Sequence, residues 1–361
     1  MQYKLAEEEF MTCREAAIEW GVSQRRVAVL CSEGRVPASR FNQAWAIPRN
    51  YPKPIDGRSL RYNQPLTEPV KPFLKWAGGK GQLLNEIEKY YPFDKHINKY
   101  IEPMVGGGAV LFDILNKYHL KDILINDSNA ELIDTYIVVK ARVKDLITLL
   151  KQYQDEYVPL NMSQRKIYYE KKRNRFNELV GNFILGDKVE KAALMIFLNK
   201  TCFNGLYRVN RKGLFNVPMG AYKNPLICDE NNLLAVSEKL QKVKIHCGDY
   251  HNVLNFVDCR TFVYIDPPYR PLTKTAGFTA YTQDAFNDEQ HRQLALFVQK
   301  LNKKKALVLV SNSDPKNVDD EDNFFEDLYC EQNIKRVEAH RNINSKGTAR
   351  GKVKELLIAN F

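Results

Sequence analysis

Asp266-Pro267-Pro268-Tyr269 is the run in this 361-residue chain whose residue types and order most plainly suit chemistry. It follows directly on Thr261 to Ile265, which has the length and the β-branched and aromatic content of a buried strand. In a parallel sheet, ligands are held at the carboxyl edge of such strands. The chemistry it suits is attack by a poor nucleophile such as the amino group of adenine, whose lone pair is delocalised into the ring. Acceptors aimed at that amine, here the Asp266 carboxylate and the Pro267 carbonyl, draw it toward tetrahedral geometry. Successive prolines stiffen the turn that aims them, and Tyr269 offers a face on which a base taken out of a duplex can stack. An electrophile that is already cationic, as a sulfonium is, asks for little beyond alignment and exclusion of water. The same four residues would serve equally as a rigid strand-ending turn, so their companions decide.

Tyr100-Ile101-Glu102 reads as a second strand, leading into Pro103-Met104-Val105-Gly106-Gly107-Gly108 and the helical Ala109 to Leu115. Strand, glycine loop and helix form a nucleotide-type cradle, with Glu102 bringing a carboxylate toward the cationic end of a ligand. Phosphate binding competes with this reading, yet no Gly-Lys-Ser/Thr follows. Asp127 ends the next strand about 25 residues after Glu102, an interval suited to ribose hydroxyls. Gly248-Asp249 ends another, where Asp249 could accept a hydrogen bond from the ligand's own adenine amine; both acids would also serve as helix caps. Upstream, Phe73-Leu74-Lys75-Trp76-Ala77-Gly78-Gly79-Lys80 joins an aromatic, a glycine turn and lysines, suited to closing over a nucleoside, or else a surface turn.

The elements that must position these residues alternate between strand-like and helical runs. Lys99 to Glu102, Asp122 to Asn126, Lys242 to His246, Thr261 to Ile265 and Ala306 to Val310 read as strands of a largely parallel α/β sheet. Between Asn126 and Val243 the alternation lapses into long helical segments rich in Lys, Arg and Tyr, such as Gln164 to Arg175, which predicts an inserted domain over 128–241. Within it, Asn199 to Gly220 mixes glycine turns, aromatics and arginines. An arginine fork such as Arg208 can bind guanine bidentately, and Phe203 can wedge into the gap that base extrusion leaves; a solvated basic loop is the alternative.

Pro48, Pro52, Pro54, Pro65, Pro69 and Pro72 crowd one polar stretch, so 51–70 reads as a linker. Before it, Thr12 and Ser23 can cap two short helices separated by Gly21, and the stretch from Arg35 to Pro48 suits a hairpin. This predicts a small winged helix-turn-helix over 1–50, of excisionase or MerR type, with Arg25 and Arg26 outward to meet DNA, or else a hairpin used for packing. The formal net charge of +11 favours a polyanionic partner. Seven cysteines without a Cys-x-x-Cys pair suggest neither a disulfide framework nor a zinc site, and a cytoplasmic setting with no metal is expected. The acidic Glu7, Glu8 and Glu9 and the lack of a long apolar run predict neither secretion nor membrane insertion.

Together these blocks resemble the Dam-type, class alpha, adenine-N6 DNA methyltransferases, and among them the DpnII and MboI kind of restriction-modification enzyme. The likeness runs from about Pro72 to Phe361 and includes Phe278 to Tyr281, Ser311 to Asp314, and Arg341 to Arg350 before a final strand Glu355 to Asn360. It implies a Rossmann-like S-adenosylmethionine-dependent sheet over 71–361 with an inserted, mainly helical target-recognition domain. It also implies that Trp76, Lys80, Asp127 and Asp266 contact S-adenosylmethionine, beside the Glu102, Gly106 and Asp249 read above. Phe203-Asn204-Gly205 followed by Arg208 resembles the family's GATC-reading segment, with Arg208 on guanine and Lys75 on the outer base pair of double-stranded DNA. A cognate endonuclease acting on the same site would be the partner. Two departures are Met104 and Phe203, where the family more often has phenylalanine and tyrosine. An RNA adenine enzyme, a cytosine-N4 enzyme and a DNA-binding regulator with a spent transferase domain are the competing readings.

Overall fold

The computed structural model describes residues 10–32, 36, 38–41, 44–49, 69–76, 78–94, 96–180, 188–270, 286–340 and 352–361. Most of the Pro-rich stretch, Phe278 to Tyr281 and Arg341 to Arg350 lie outside them. The chain divides into two compact units, Met1–Thr67 and Glu68–Phe361.

In the first unit, helix α1 (Cys13–Trp20) opens with a capping box: Thr12 Oγ1 accepts from Glu15 N at 3.3 Å and Glu15 Oε2 accepts from Thr12 N at 2.8 Å. Gly21, at φ 62°, ends it in the left-handed conformation that glycine adopts without strain. Helix α2 (Gln24–Ser32) follows, and strands β1 (Phe10–Met11), β2 (Ser39–Phe41) and β3 (Ala44–Pro48) form an antiparallel sheet in the order β1-β3-β2. Met11, Ala16, Trp20, Val27, Leu30 and Ile47 close its core.

The second unit is built on seven strands: β4 (Lys99–Glu102), β5 (Asp122–Asp127), β6 (Val243–Cys247), β7 (Thr261–Ile265), β8 (Leu307–Ser313), β9 (Asn333–His340) and β10 (Lys352–Ala359). Their order is β6-β5-β4-β7-β8-β10-β9. The first five are parallel, and β10 runs antiparallel between β8 and β9. This is a Rossmann-like sheet, mixed α/β as expected. The sequence reading did not include β9; its residues are mostly polar, as suits an edge strand, and only one ladder partner supports it.

Alternate residues serve two cores. Tyr100, Phe262 and Tyr264 pack with Phe112 of α3 (Ala109–Lys117) and Tyr136 of α4 (Ala130–Ala141). Ile101, Val263 and Ile265 pack with Leu294, Phe297 and Val298 of the last long helix, Asp288–Lys303. Burial on both faces explains why β7 reads as a continuous apolar run.

The chain between β5 and β6 supplies α4, α5 (Val143–Tyr157), α6 (Met162–Val180), α7 (Lys188–Thr201) and α8 (Glu230–Leu240). Leu132 and Ile133 of α4, Leu146 of α5, Phe176 of α6, Phe197 of α7 and Leu233 of α8 join the same core as Ile123 and Ile125 of β5. The long helical segment is thus continuous with one face of the sheet. Arg165, buried on α6, donates to the Tyr157, Tyr222 and Lys223 carbonyls and ties the end of α5 to the loop beyond residue 220. Among the described residues no helix is long and apolar enough to cross a membrane.

Candidate active site

Parallel order reverses between β4 and β7, since β5 and β6 lie to one side of β4 and β7 and β8 to the other. A crevice opens at the carboxyl ends of strands where order reverses in this way. Glu102 ends β4, Asp127 ends β5 and Asp266 follows β7, so the motif residues meet there.

Asp266 is anchored on two sides. Lys80 Nζ lies 2.7 Å from Oδ2 and 2.6 Å from Oδ1, and Ser311 Oγ of β8 donates to Oδ1 at 3.0 Å. The Tyr264 and Ser311 hydroxyls are 2.9 Å apart, which extends the network into the core. Burial raises the pKa of Asp266 above the usual carboxylate range, while Lys80 and Ser311 oppose that rise. Lys80 is only 4% exposed, yet its ammonium is satisfied by Asp266 and by the Gly78 carbonyl at 2.7 Å. It also lies 4.6 Å from the centre of the Tyr269 ring. Tyr269 donates its hydroxyl to Glu355 of β10, and burial with the Asp266 and Glu355 charges raises its pKa well above the ordinary value. Pro267 is buried and Pro268 exposed. Arg270, next in the chain, forks onto Asp288 at 2.7 and 3.0 Å and pairs with Asp322, which fixes the far end of the motif.

Residues 69–76 form no helix or strand, so their backbone groups need other partners. Three asparagines supply them. Asn116 of α3 accepts from Val70 N at 3.0 Å and donates to Val70 O at 2.8 Å. Asn232 of α8 does the same to Lys71, at 3.0 Å each. Asn199 of α7 accepts from Lys75 N at 2.7 Å and donates to Lys75 O at 2.6 Å. Held this way, Trp76 lies against the glycine loop: a Cβ on Gly107 would come within 2.8 Å of Trp76 Cβ, and one on Gly106 within 3.0 Å of Cδ1. Its ring also stacks on Tyr207, with centroids 5.6 Å apart and planes at 19°.

Three carboxylates and one buried lysine share this crevice. Glu102 is 2% exposed and accepts from the Tyr100 hydroxyl at 2.9 Å. Burial drives its pKa well above the ordinary value, and the charges of Asp266 and Asp127 push it further. Asp127 Oδ2 accepts from Gly106 N at 3.0 Å and Oδ1 from Asn129 N at 3.0 Å, so it also braces the glycine loop; burial raises its pKa against those bonds. Asn126 donates to the Pro103 and Gly248 carbonyls, at 2.9 Å each, and joins that loop to the turn after β6. Asp249 is exposed and caps the following turn, accepting from His251 N at 2.8 Å. Met104 packs at the edge of the second core.

In the segment after α7, Phe203 is 51% exposed and Asn204 takes a left-handed φ of 56°. Arg208 is half-buried, its Nε donating to Asn216 Oδ1 at 2.8 Å, which orients the fork. Lys75 is exposed with its ammonium 4.2 Å over Tyr222. Burial, with Lys75 nearby, pulls the Lys200 amine down to about 8. Lys75 lies against Gly205, which directly follows Phe203 and Asn204, while Arg208, three residues on, is bonded to Asn216. Arg25 is exposed and Arg26 half-buried on α2 of the first unit.

Residues 76–343 match the family described as D12 class N6 adenine-specific DNA methyltransferase. The chain belongs to this family and is an adenine-specific DNA methyltransferase. It is 51% identical over 296 residues to a type II methyltransferase of Methanocaldococcus jannaschii, covering 81% of this chain and 99% of that protein. It is 37% identical over 294 residues to a type II methyltransferase of Lactococcus lactis subsp. cremoris, covering 81% and 96%. It is 35% identical over 286 residues to the DNA adenine methylase of Escherichia coli, covering 79% and 93%. The family sets aside the RNA, cytosine-N4 and non-catalytic readings.

Sequence reasoning assigned no role to Ser311, Glu355, Asn199, Asn116, Asn232 or Tyr207. Glu355 carried a weak signal, the last charge before the apolar end of the final strand. The asparagines carried none, because the Val70, Lys71 and Lys75 backbone groups they hold are far away in the chain.

Glu102 generates a prediction with a definite sign. A carboxyl whose pKa is raised on folding stabilises most below its unfolded pKa, and that contribution is lost as pH rises through the folded value. Glu102→Gln should therefore make the ligand-free protein more stable than the parent at neutral pH. Urea unfolding between about pH 5 and pH 8 should show the gap widening with pH; a gap that stays constant would contradict the assignment.

Proposed function

We propose that this enzyme transfers a methyl group from S-adenosylmethionine to N6 of an adenine drawn out of duplex DNA, at GATC. We further propose that it acts in the cytoplasm on nucleoid DNA as the methylating partner of an endonuclease cutting the same sequence. The observation that carries the chemistry is Asp266, held between Lys80 and Ser311 at the point where strand order reverses. The type II names of two relatives support the restriction-modification setting.

S-adenosylmethionine supplies, when bound, a methyl group on positively charged sulfur. The donor set suits such a cation, because Glu102, Asp127 and Asp266 crowd together and the buried Lys80 pairs with Asp266 alone of the three. In this reading Glu102 faces the amino-acid end, Asp127 the ribose, Trp76 and Gly106 the wall, and Asp249 the cofactor's adenine amine. Lys80 keeps the Asp266 carboxylate charged and aimed. An Asp266 oxygen and the Pro267 carbonyl accept the hydrogens of the target amine and turn its lone pair out of the ring. Asp266 then takes the proton that the methylated amine sheds. The target base stacks on Tyr269 opposite Lys80, while Glu355 keeps that ring from turning. Pro268 stiffens the turn.

On the DNA side, Phe203 fills the gap left by the base, Asn204 lines it, Arg208 reads guanine and Lys75 reads the outer pair. The unit before the linker adds contacts through Arg25 and Arg26 as a winged helix-turn-helix.

Labelled cofactor offered to duplexes with and without GATC tests the whole reading. N6-methyladenine is expected in the GATC duplex alone, with Asp266→Ala slower by about a hundredfold or more. Label confined to another sequence would overturn GATC, and an active Asp266→Ala would overturn the mechanism. Arg208→Ala should lose about 1–3 kcal/mol of discrimination at guanine, read as kcat/KM on duplexes changed at that pair; undiminished discrimination would remove Arg208 from base reading. Arg25→Ala with Arg26→Ala in the full chain should flatten the salt dependence of DNA binding by about 0.9 per lost phosphate contact. An unchanged slope would make the first unit a packing or protein-contact module.

A further inference from the structure

Between the segment that walls the cofactor crevice and the segment placed to read DNA sits a single buried amide. Asn199 is 3% exposed near the end of α7, and its side chain uses its hydrogen-bonding groups on two loops at once. Its Oδ1 accepts from Lys75 N at 2.7 Å, and its Nδ2 donates to Lys75 O at 2.6 Å and to Gly205 O at 3.0 Å. Both Nδ2 hydrogens are thereby committed, one to each loop.

The two loops are also in direct contact. A Cβ on Gly205 would come within 2.5 Å of Lys75 Cβ, and Gly205 has a φ of +64°, so both space and backbone exclude a side chain. One residue along on the first loop and two along on the second, Trp76 stacks on Tyr207. Gly205 follows Phe203 and Asn204, and Arg208 follows Tyr207. A shift of the first loop against the second therefore moves Lys75 relative to Phe203, Asn204 and Arg208, and moves Trp76 relative to the glycine loop.

We propose that Asn199 is a positioning residue that sets the register of the base-reading side chains Lys75 and Phe203 to Arg208 against the cofactor wall, and so determines sequence discrimination without touching DNA. Replacing the Asn199 amide with water would leave the Gly205 contact and the Trp76–Tyr207 stack in place but loosen the register between the loops, because no backbone hydrogen bond joins Lys75 to Gly205 among the described residues. Asn116 and Asn232 bracket the same segment at Val70 and Lys71 but make no bond to the recognition loop, which makes them internal controls.

The inference rests on the proposed DNA-reading role of that loop, and the test separates the two. The ratio of kcat/KM for GATC to that for duplexes altered at one outer base pair is measured for the full chain and for Asn199→Ala, Gly205→Ala, Asn116→Ala and Arg208→Ala. Thermal unfolding and binding of S-adenosylmethionine are measured on each. Asn199→Ala is expected to lower the ratio about tenfold, comparable to one lost hydrogen bond, chiefly through faster turnover of altered duplexes relative to GATC. Gly205→Ala should lower it likewise by prising the same junction apart, and Asn116→Ala should lower stability without lowering the ratio. An Asn199→Ala enzyme that folds and keeps full discrimination overturns the proposal. Should Asn199→Ala fail to fold, Gly205→Ala decides in the same sense. Equal loss of discrimination in Asn116→Ala would show a structural effect only and also overturn it. Loss in Asn199→Ala with none in Arg208→Ala would uphold the bracket and overturn the reading of Arg208.

Discussion

Lys80 and Asp266 lie 186 residues apart in the chain, and their ion pair joins the two stretches from which the rest of the site is hung. An ammonium taken out of water loses several kcal/mol of hydration, which only a close, well-oriented counter-charge offsets. Lys80 meets that demand with both Asp266 oxygens and the Gly78 carbonyl. Asp266 meets its own with Lys80 and Ser311. Either charge left alone would be strained in the buried crevice, so the loop after Trp76 and the turn after β7 are obliged to sit together. Tyr269 then inherits its place, with the ammonium over its ring and its hydroxyl on Glu355.

From that pairing the site extends by polar side chains rather than by regular structure. The chain from Val70 to Trp76 has no ladder of its own, and three asparagines on three helices take over the backbone bonding that a strand would otherwise receive. Each asparagine amide presents a donor and an acceptor side by side, the same pair that one residue of a neighbouring strand would present. An irregular segment held this way can pass the glycine loop closely, as Trp76 does at Gly106 and Gly107, while remaining fixed in place. The acidic side of the crevice is fixed by a similar economy: Asp127 binds two backbone amides, and one of them belongs to the glycine loop.

The helical stretch between β5 and β6 reads in sequence as an insertion, because the alternation of strand and helix lapses there. In three dimensions its helices share the hydrophobic core of one sheet face. The segment after α7 and the crevice are therefore joined by packing as well as by the Asn199 bonds, and Arg165 adds a third tie by holding the loop whose Tyr222 ring lies against the Lys75 ammonium.

Much of this enzyme was legible in its residues alone. Strands β4 and β7 are legible with the bounds they have, β7 because burial on both faces makes it an apolar run and β4 because Tyr100 and Ile101 lead straight into the glycine loop. The glycine loop, Asp-Pro-Pro-Tyr and the aromatic-Asn-Gly segment were legible because each depends on local backbone geometry or on residue chemistry within a few positions. The strand β9 was not, because an edge strand with one polar face lacks that signal. Nor was it legible that Lys80 would be buried against Asp266, that Ser311 and Glu355 would hold Asp266 and Tyr269, or that Asn199 would bracket Lys75 and Gly205. Local pattern records what one stretch of chain does with its own atoms. Those partnerships join side chains to groups that become neighbours only after the sheet has assembled, so tertiary structure alone decided them.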